Sequence, residues 1–86
     1  MPRTARVVIA GCPHHVTQRG NNRQDVFFVD DDRRVYLEFL REQAQRFALS
    51  IDAYCLMTNH IHLVATPAAE GSLAQAVGRT NWLYTQ

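Results

Sequence analysis

Two histidines one residue apart, His60 and His62, stand inside an apolar run that also holds Ile61, Leu63, Val64 and Ala65. In an extended segment, successive side chains point to opposite faces, so His60, His62 and Val64 share one side while Ile61, Leu63 and Ala65 share the other. The apolar trio must face a core. Both imidazoles then project from the opposite side, with Cβ atoms on the order of 7 Å apart, a separation that one divalent ion can bridge. Two ligands are too few for a closed structural zinc site, which takes four. Whatever binds keeps open positions, as a catalytic metal does. The plain alternative is a pair of polar residues on the wet face of a one-sided sheet.

Three further groups could join such chemistry. His14 and His15 open the first predicted strand, and by alternation His15, Thr17 and Arg19 share a face suited to a phosphate. Tyr84 follows Leu73, Val77 and Thr80 on one helical face and reads on pattern alone as a core or rim aromatic. As a nucleophile, its phenol, with an ordinary pKa of ~10, would need a nearby cation or metal. Cys12 and Cys55 are too few and too far apart for a disulfide framework or a metal knuckle, and are expected as reduced core or near-core thiols.

The elements that must position these groups follow from periodicity and punctuation. His14 to Arg19 reads as a strand closed by the turn residues Gly20, Asn21 and Asn22. After an apolar hook over Val26 to Val29, Asp30, Asp31 and Asp32 supply an N-cap and acids for the positive end of a helix. Its body places Tyr36, Phe39, Leu40, Gln43, Ala44 and Phe47 at helical spacing. Ser50 to Met57 then alternates, with Ile51, Ala53, Cys55 and Met57 on one side and Asp52, Tyr54 and Leu56 on the other. Thr58-Asn59 turns the chain into a strand from His60 to Thr66, which Pro67 ends. Ser72, with Gln75 three residues on, predicts a capping box and a second helix. That helix carries no stop signal before Gln86.

Strand, helix, strand, strand, helix is the opening of an α+β ferredoxin-like split βαβ sandwich, an antiparallel sheet with its helices on one face, here truncated before its last strand. In that arrangement the first strand lies beside the third. Residues 1–13 form an N-terminal arm and 14–86 a partial domain.

Eighty-six residues, 47% hydrophobic and 20% charged, make one small globular core and exclude disordered, collagenous and disulfide-dense classes. No apolar run approaches the roughly 20 residues of a membrane span. The patch Val7 to Gly11 is shorter than the minimum of about 7 residues for a signal h-region, and Pro13 follows at once, so a cytoplasmic protein is expected. The net charge is only +1, but Arg3, Arg6, Arg19 and Arg23 put +4 in residues 1–24, and the remainder carries five arginines against eight acids. All nine basic residues are arginine, which suits bidentate phosphate contacts.

The strings HHVTQRGNNRQDVFF, SIDAYCLMTNHIHLV and SLAQAVGRTNWLYTQ together resemble the HUH single-tyrosine transposases of small bacterial insertion sequences, and most closely the REP-associated tyrosine transposases. The resemblance spans nearly the whole chain from His14 onward, and YCLMTNHIHLV is its most specific part. It implies that His60 and His62 hold Mg²⁺ or Mn²⁺ and that Tyr84, the only tyrosine of the second helix, attacks single-stranded DNA. Such attack leaves a 5′-phosphotyrosine and a free 3′-OH. It implies hairpin-bearing single-stranded DNA as substrate, with His15, Thr17, Arg19 and Arg23 as DNA contacts, and a homodimer that exchanges helices.

The family's third metal ligand commonly lies one helical turn past the tyrosine, and this sequence stops two residues after Tyr84, so an incomplete site and reduced or absent activity are expected. Two other functions compete. A non-catalytic nucleic-acid-binding module would use the same open sheet as RNA-recognition domains, but Tyr54 is the only aromatic on the predicted strands. A small metal-binding protein would explain the histidine pair and leave Tyr84 and the arginines without a role.

Overall fold

Alternation between buried and exposed side chains organises the sheet. In β3, His60–Pro67, every second residue is buried: Ile61 and Leu63 are 1% exposed and Ala65 0%. β1, His14–Arg19, buries Val16 and exposes His15, Thr17 and Arg19. β2, Leu49–Leu56, completes an antiparallel sheet in the order β1-β3-β2. The structure, a computed structural model, describes residues 7–19, 26, 27 and 29–85. The expected turn at Gly20 to Asn22, Arg3, Arg6, Arg23 and Phe28 lie outside the described residues.

Two helices cover the apolar face. α1, Asp30–Arg46, buries Tyr36, Leu40, Gln43 and Ala44, and α2, Ser72–Tyr84, buries Leu73, Ala76, Val77 and Thr80. α1 packs on β2 and on α2, and α2 packs on β3 and β2, so both helices lie on the side of Ile61, Leu63 and Ala65. Fully burying a side chain such as Ile61 or Leu63 contributes about 1.5–3 kcal/mol relative to exposure. The expected α+β, ferredoxin-like arrangement, with helices on one face and the first strand beside the third, is the observed one. Among the described residues, no helix is long and apolar enough to cross a membrane.

Local chemistry departs from the sequence expectations at four places. The N-cap of α1 is Val29, not one of the three aspartates; Asp32 reaches back to accept the Val29 N–H at 3.1 Å, and all three acids sit in the first turn, where the helix dipole favours them. In α2 the N-cap is Gly71, and the Ser72 hydroxyl accepts the Ala69 N–H at 3.2 Å, so no Ser72–Gln75 box forms.

A β-bulge between Ile51 and Ala53 changes the parity of β2. Beyond it, Tyr54 and Leu56 pair with Leu63 and Ile61 on the helix side, while Ala53 and Cys55 pair with Val64 and His62 on the open side. The strict alternation expected over Ser50 to Met57 therefore fails, because one extra residue, Asp52, enters the strand. Its carboxylate accepts the hydroxyls of Ser50, at 3.1 Å, and Thr66, at 2.7 Å, which holds the bulge. Finally, both cysteines are free but exposed, not near-core: Cys12 lies in the turn before β1, and the bulge brings Cys55 to the open face.

The described end of the N-terminal arm is docked onto the domain. The Gly11 N–H donates to the Pro67 carbonyl at 2.7 Å, in a turn where Gly11 has φ +82°, a region that a side chain disfavours. Val8 packs against the core.

A histidine face on the open side of the sheet

Register brings the candidate residues together across two strands. Thr17 lies opposite His62, Arg19 opposite His60 and His15 opposite Val64, so all three β1 side chains share the open face with the histidine pair. The imidazoles of His60 and His62 are neighbours, with ring centroids 4.8 Å apart and planes at 80°. On the other flank, His15 stacks on His62 at 5.2 Å with planes within 5°.

Hydrogen bonds set the rings. Asn59 Oδ1 lies 2.7 Å from His60 Nδ1, and because an amide oxygen only accepts, Nδ1 carries the proton and Nε2 keeps its lone pair. His62 Nδ1 faces His15 Nε2 at 3.1 Å and the Thr17 hydroxyl at 3.4 Å. With the proton on His62 Nδ1, its Nε2 is also a lone-pair nitrogen. Orienting one ring nitrogen through the other in this way is how metal-binding histidines are usually prepared. Partial desolvation, followed by the charges of His60, His15 and Arg19, pushes the His62 pKa below its ordinary value, which favours the neutral ring that a cation needs.

His60 and His62 are therefore the side chains of this face that could hold a divalent ion, and two imidazoles alone would leave it positions for water or phosphate oxygens. Among the described residues, no group of three His, Cys, Asp or Glu side chains converges as a ligand set. Imidazole donors favour Mn²⁺ over Mg²⁺. Asn59, read from the sequence as a turn residue only, proves to be the partner of His60; an Asn directly before the first histidine was the available signal. Cys55, opposite His62, was assigned to the wrong face because a bulge leaves no mark in the alternation.

His14 has a different role. Its Nδ1–H donates to the Cys12 carbonyl at 2.7 Å and its Nε2 accepts the Ile9 N–H at 3.1 Å, which staples the turn before β1.

Tyr84 is not brought to the histidines. It packs against Phe27 and Tyr36 at centroid distances of 5.7 and 5.3 Å, on the helix side of the sheet, and its hydroxyl donates to the Val26 carbonyl at 3.0 Å. It lines a recess of about 270 Å³ with Gln18, Arg19, Ile61 and Asn81; Gln18 and Ile61 have the opposite parity to His60 and His62, and Arg19 shares theirs. Burial, then the charge of Asp32, pushes its phenol pKa upward, against the activation that a nucleophile requires. The other two tyrosines also lie on the helix side: Tyr36 is buried in α1, and Tyr54 pairs with Leu63.

A family model described as "Transposase IS200 like" matches residues 8–86. No curated protein matches the chain.

Proposed function

The chain belongs to the IS200-like transposase family, and on that premise we propose that its open sheet face is where single-stranded, hairpin-bearing DNA is nicked and rejoined with a divalent cation, Mg²⁺ or Mn²⁺. The observation that carries this reading is the pair of imidazoles on the open face, each with its Nδ1 engaged by a neighbour, Asn59 for His60 and His15 for His62. His60 and His62 would hold the cation, whose chemistry is to polarise a non-bridging oxygen of the scissile phosphate. His15 and Thr17 keep His62 in place. Arg19, opposite His60, attracts the phosphate backbone to the face.

The phosphotyrosine step is what the resemblance implies: a phenol oxygen bonds to phosphorus as the P–O3′ bond breaks, and the proton lost by the phenol passes, in net, to the departing 3′ oxygen, which becomes the free 3′-OH. Tyr84 can serve it only by giving up the Val26 carbonyl and moving to the other side of the sheet. A second copy of the chain meets the same need in a homodimer when its own Tyr84 is released from Phe27, Tyr36 and the Val26 carbonyl. The position of all three tyrosines on the helix side favours one competing reading, a module that binds single-stranded DNA without cutting it.

Incubating the chain with a hairpin-bearing strand labelled at its 3′ end, in Mn²⁺, separates the two. A covalent protein–DNA band that requires Mn²⁺ and vanishes in His60→Ala and His62→Ala supports strand transfer. Binding that survives chelation, with no band under any condition, supports the module.

A further inference from the structure

One exposed pair on α2 has no part in the histidine face. Trp82, the only tryptophan of the chain, is 52% exposed. The guanidinium of Arg79 lies over its ring, 4.7 Å from the centroid. The buried stripe of α2 runs through Leu73, Ala76, Val77 and Thr80, and at about 100° per residue Trp82 falls on the far side of the helix, beside Gln75, Gly78 and Arg79. Hydrophobic packing within the domain therefore does not account for an indole there. A Cβ at Gly78, on the same side of the helix, would meet nothing within 4 Å.

Charge narrows the ligand. From Ser72 to Tyr84 the helix contains no carboxylate, and Arg79 is its one charged residue. A guanidinium placed over an indole is attracted through the face of the ring and still presents N–H groups to an anion at its edge. An aromatic face with an adjacent cation is the combination that single-strand-binding proteins use, the base stacking and the phosphate pairing with arginine.

We propose that Arg79 and Trp82 form a second DNA site, in which an unpaired base stacks on the indole and its phosphate meets the guanidinium, on the side of the domain opposite the histidine face. This rests on the reading above that the protein binds single-stranded DNA. A strand engaged at both places passes around the edge of the domain, so the helix site holds DNA flanking the segment presented to His60 and His62.

Because Trp82 is the sole tryptophan, its emission reports on the site directly. The whole chain is titrated with a fluorescein-labelled oligothymidylate and, separately, with an abasic strand of equal length, following tryptophan emission and dye anisotropy together. The expected result is quenching by the oligothymidylate and none by the abasic strand. Trp82→Leu should weaken binding roughly 5- to 100-fold, and Arg79→Gln should lower the salt slope by roughly 0.7. Circular dichroism verifies that both surface variants fold. Anisotropy that rises while emission and the Trp82→Leu affinity stay unchanged overturns the helix site and leaves the family reading intact. No anisotropy change at low salt overturns both. Self-association lost in Trp82→Leu by sedimentation velocity, with emission insensitive to DNA, shows that a second copy occupies the surface and also overturns the proposal.

Discussion

His15 and His62 meet across the β1–β3 ladder, one ring parallel to the other within 5° and His15 Nε2 3.1 Å from His62 Nδ1. They are diagonal neighbours, since His15 pairs with Val64 and Thr17 with His62. This contact places His15 to orient His62 in the proposed metal site, beside its expected part as a phosphate contact.

His15→Leu should weaken Mn²⁺ binding about 10- to 100-fold while leaving the fold intact, the range typical of removing a partner that orients a metal-bound histidine. His15→Gln, which can still accept from Nδ1, should recover part of the loss. Titration calorimetry with Mn²⁺ measures both; equal affinity for wild type and His15→Leu would remove His15 from the site.

The depressed pKa of His62 has a signed consequence for stability. The folded state binds this proton less readily than the unfolded chain, whose histidine titrates near the ordinary 6.5. Its contribution is therefore fully present above pH 6.5 and is lost as the pH falls below that value through the folded pKa. Urea unfolding at pH 7.5 and 5.5 should show a smaller decline in His62→Gln than in wild type. An identical decline in both would assign the acid sensitivity to other groups.

Tyr84→Phe should lower stability by about 0.5–1.5 kcal/mol, because the Val26 carbonyl loses a partly buried donor while the ring packing with Phe27 and Tyr36 remains. Mn²⁺ affinity should not change. If the variant instead keeps wild-type stability and loses the covalent DNA band, Tyr84 is the nucleophile after all and α2 must move to deliver it.

Gln43 is buried in α1, and its Oε1 has no hydrogen-bond partner. Gln43→Met keeps the length of the side chain and removes the unsatisfied oxygen, so unfolding should shift toward higher denaturant by roughly 1 kcal/mol. A loss of stability would mean that the amide contributes more through its nitrogen than its oxygen costs.

Much of the molecule was legible in the chain itself. The alternation through His60 to Pro67 put both imidazoles on the open face before any coordinates, because a strand whose apolar residues fall on one parity has only one way to face a core. The helical stripes of Tyr36, Leu40 and Ala44 and of Leu73, Val77 and Thr80 were equally explicit. The element order then limited the topology to a few arrangements, of which the observed one places β1 beside β3.

What pattern could not supply was every relation set between elements. The bulge at Asp52 depends on the hydroxyl of Thr66 in the next strand, so the parity of Tyr54 and Cys55 was invisible to a count along β2. The His15–His62 contact required the register of two strands 47 residues apart in sequence. Tyr84 was legible as part of an amphipathic face, but that face is buried against the sheet side opposite the histidines. Local periodicity tells which way a side chain points from its own element. Only the packing of whole elements decides which two side chains end on the same side of a sheet.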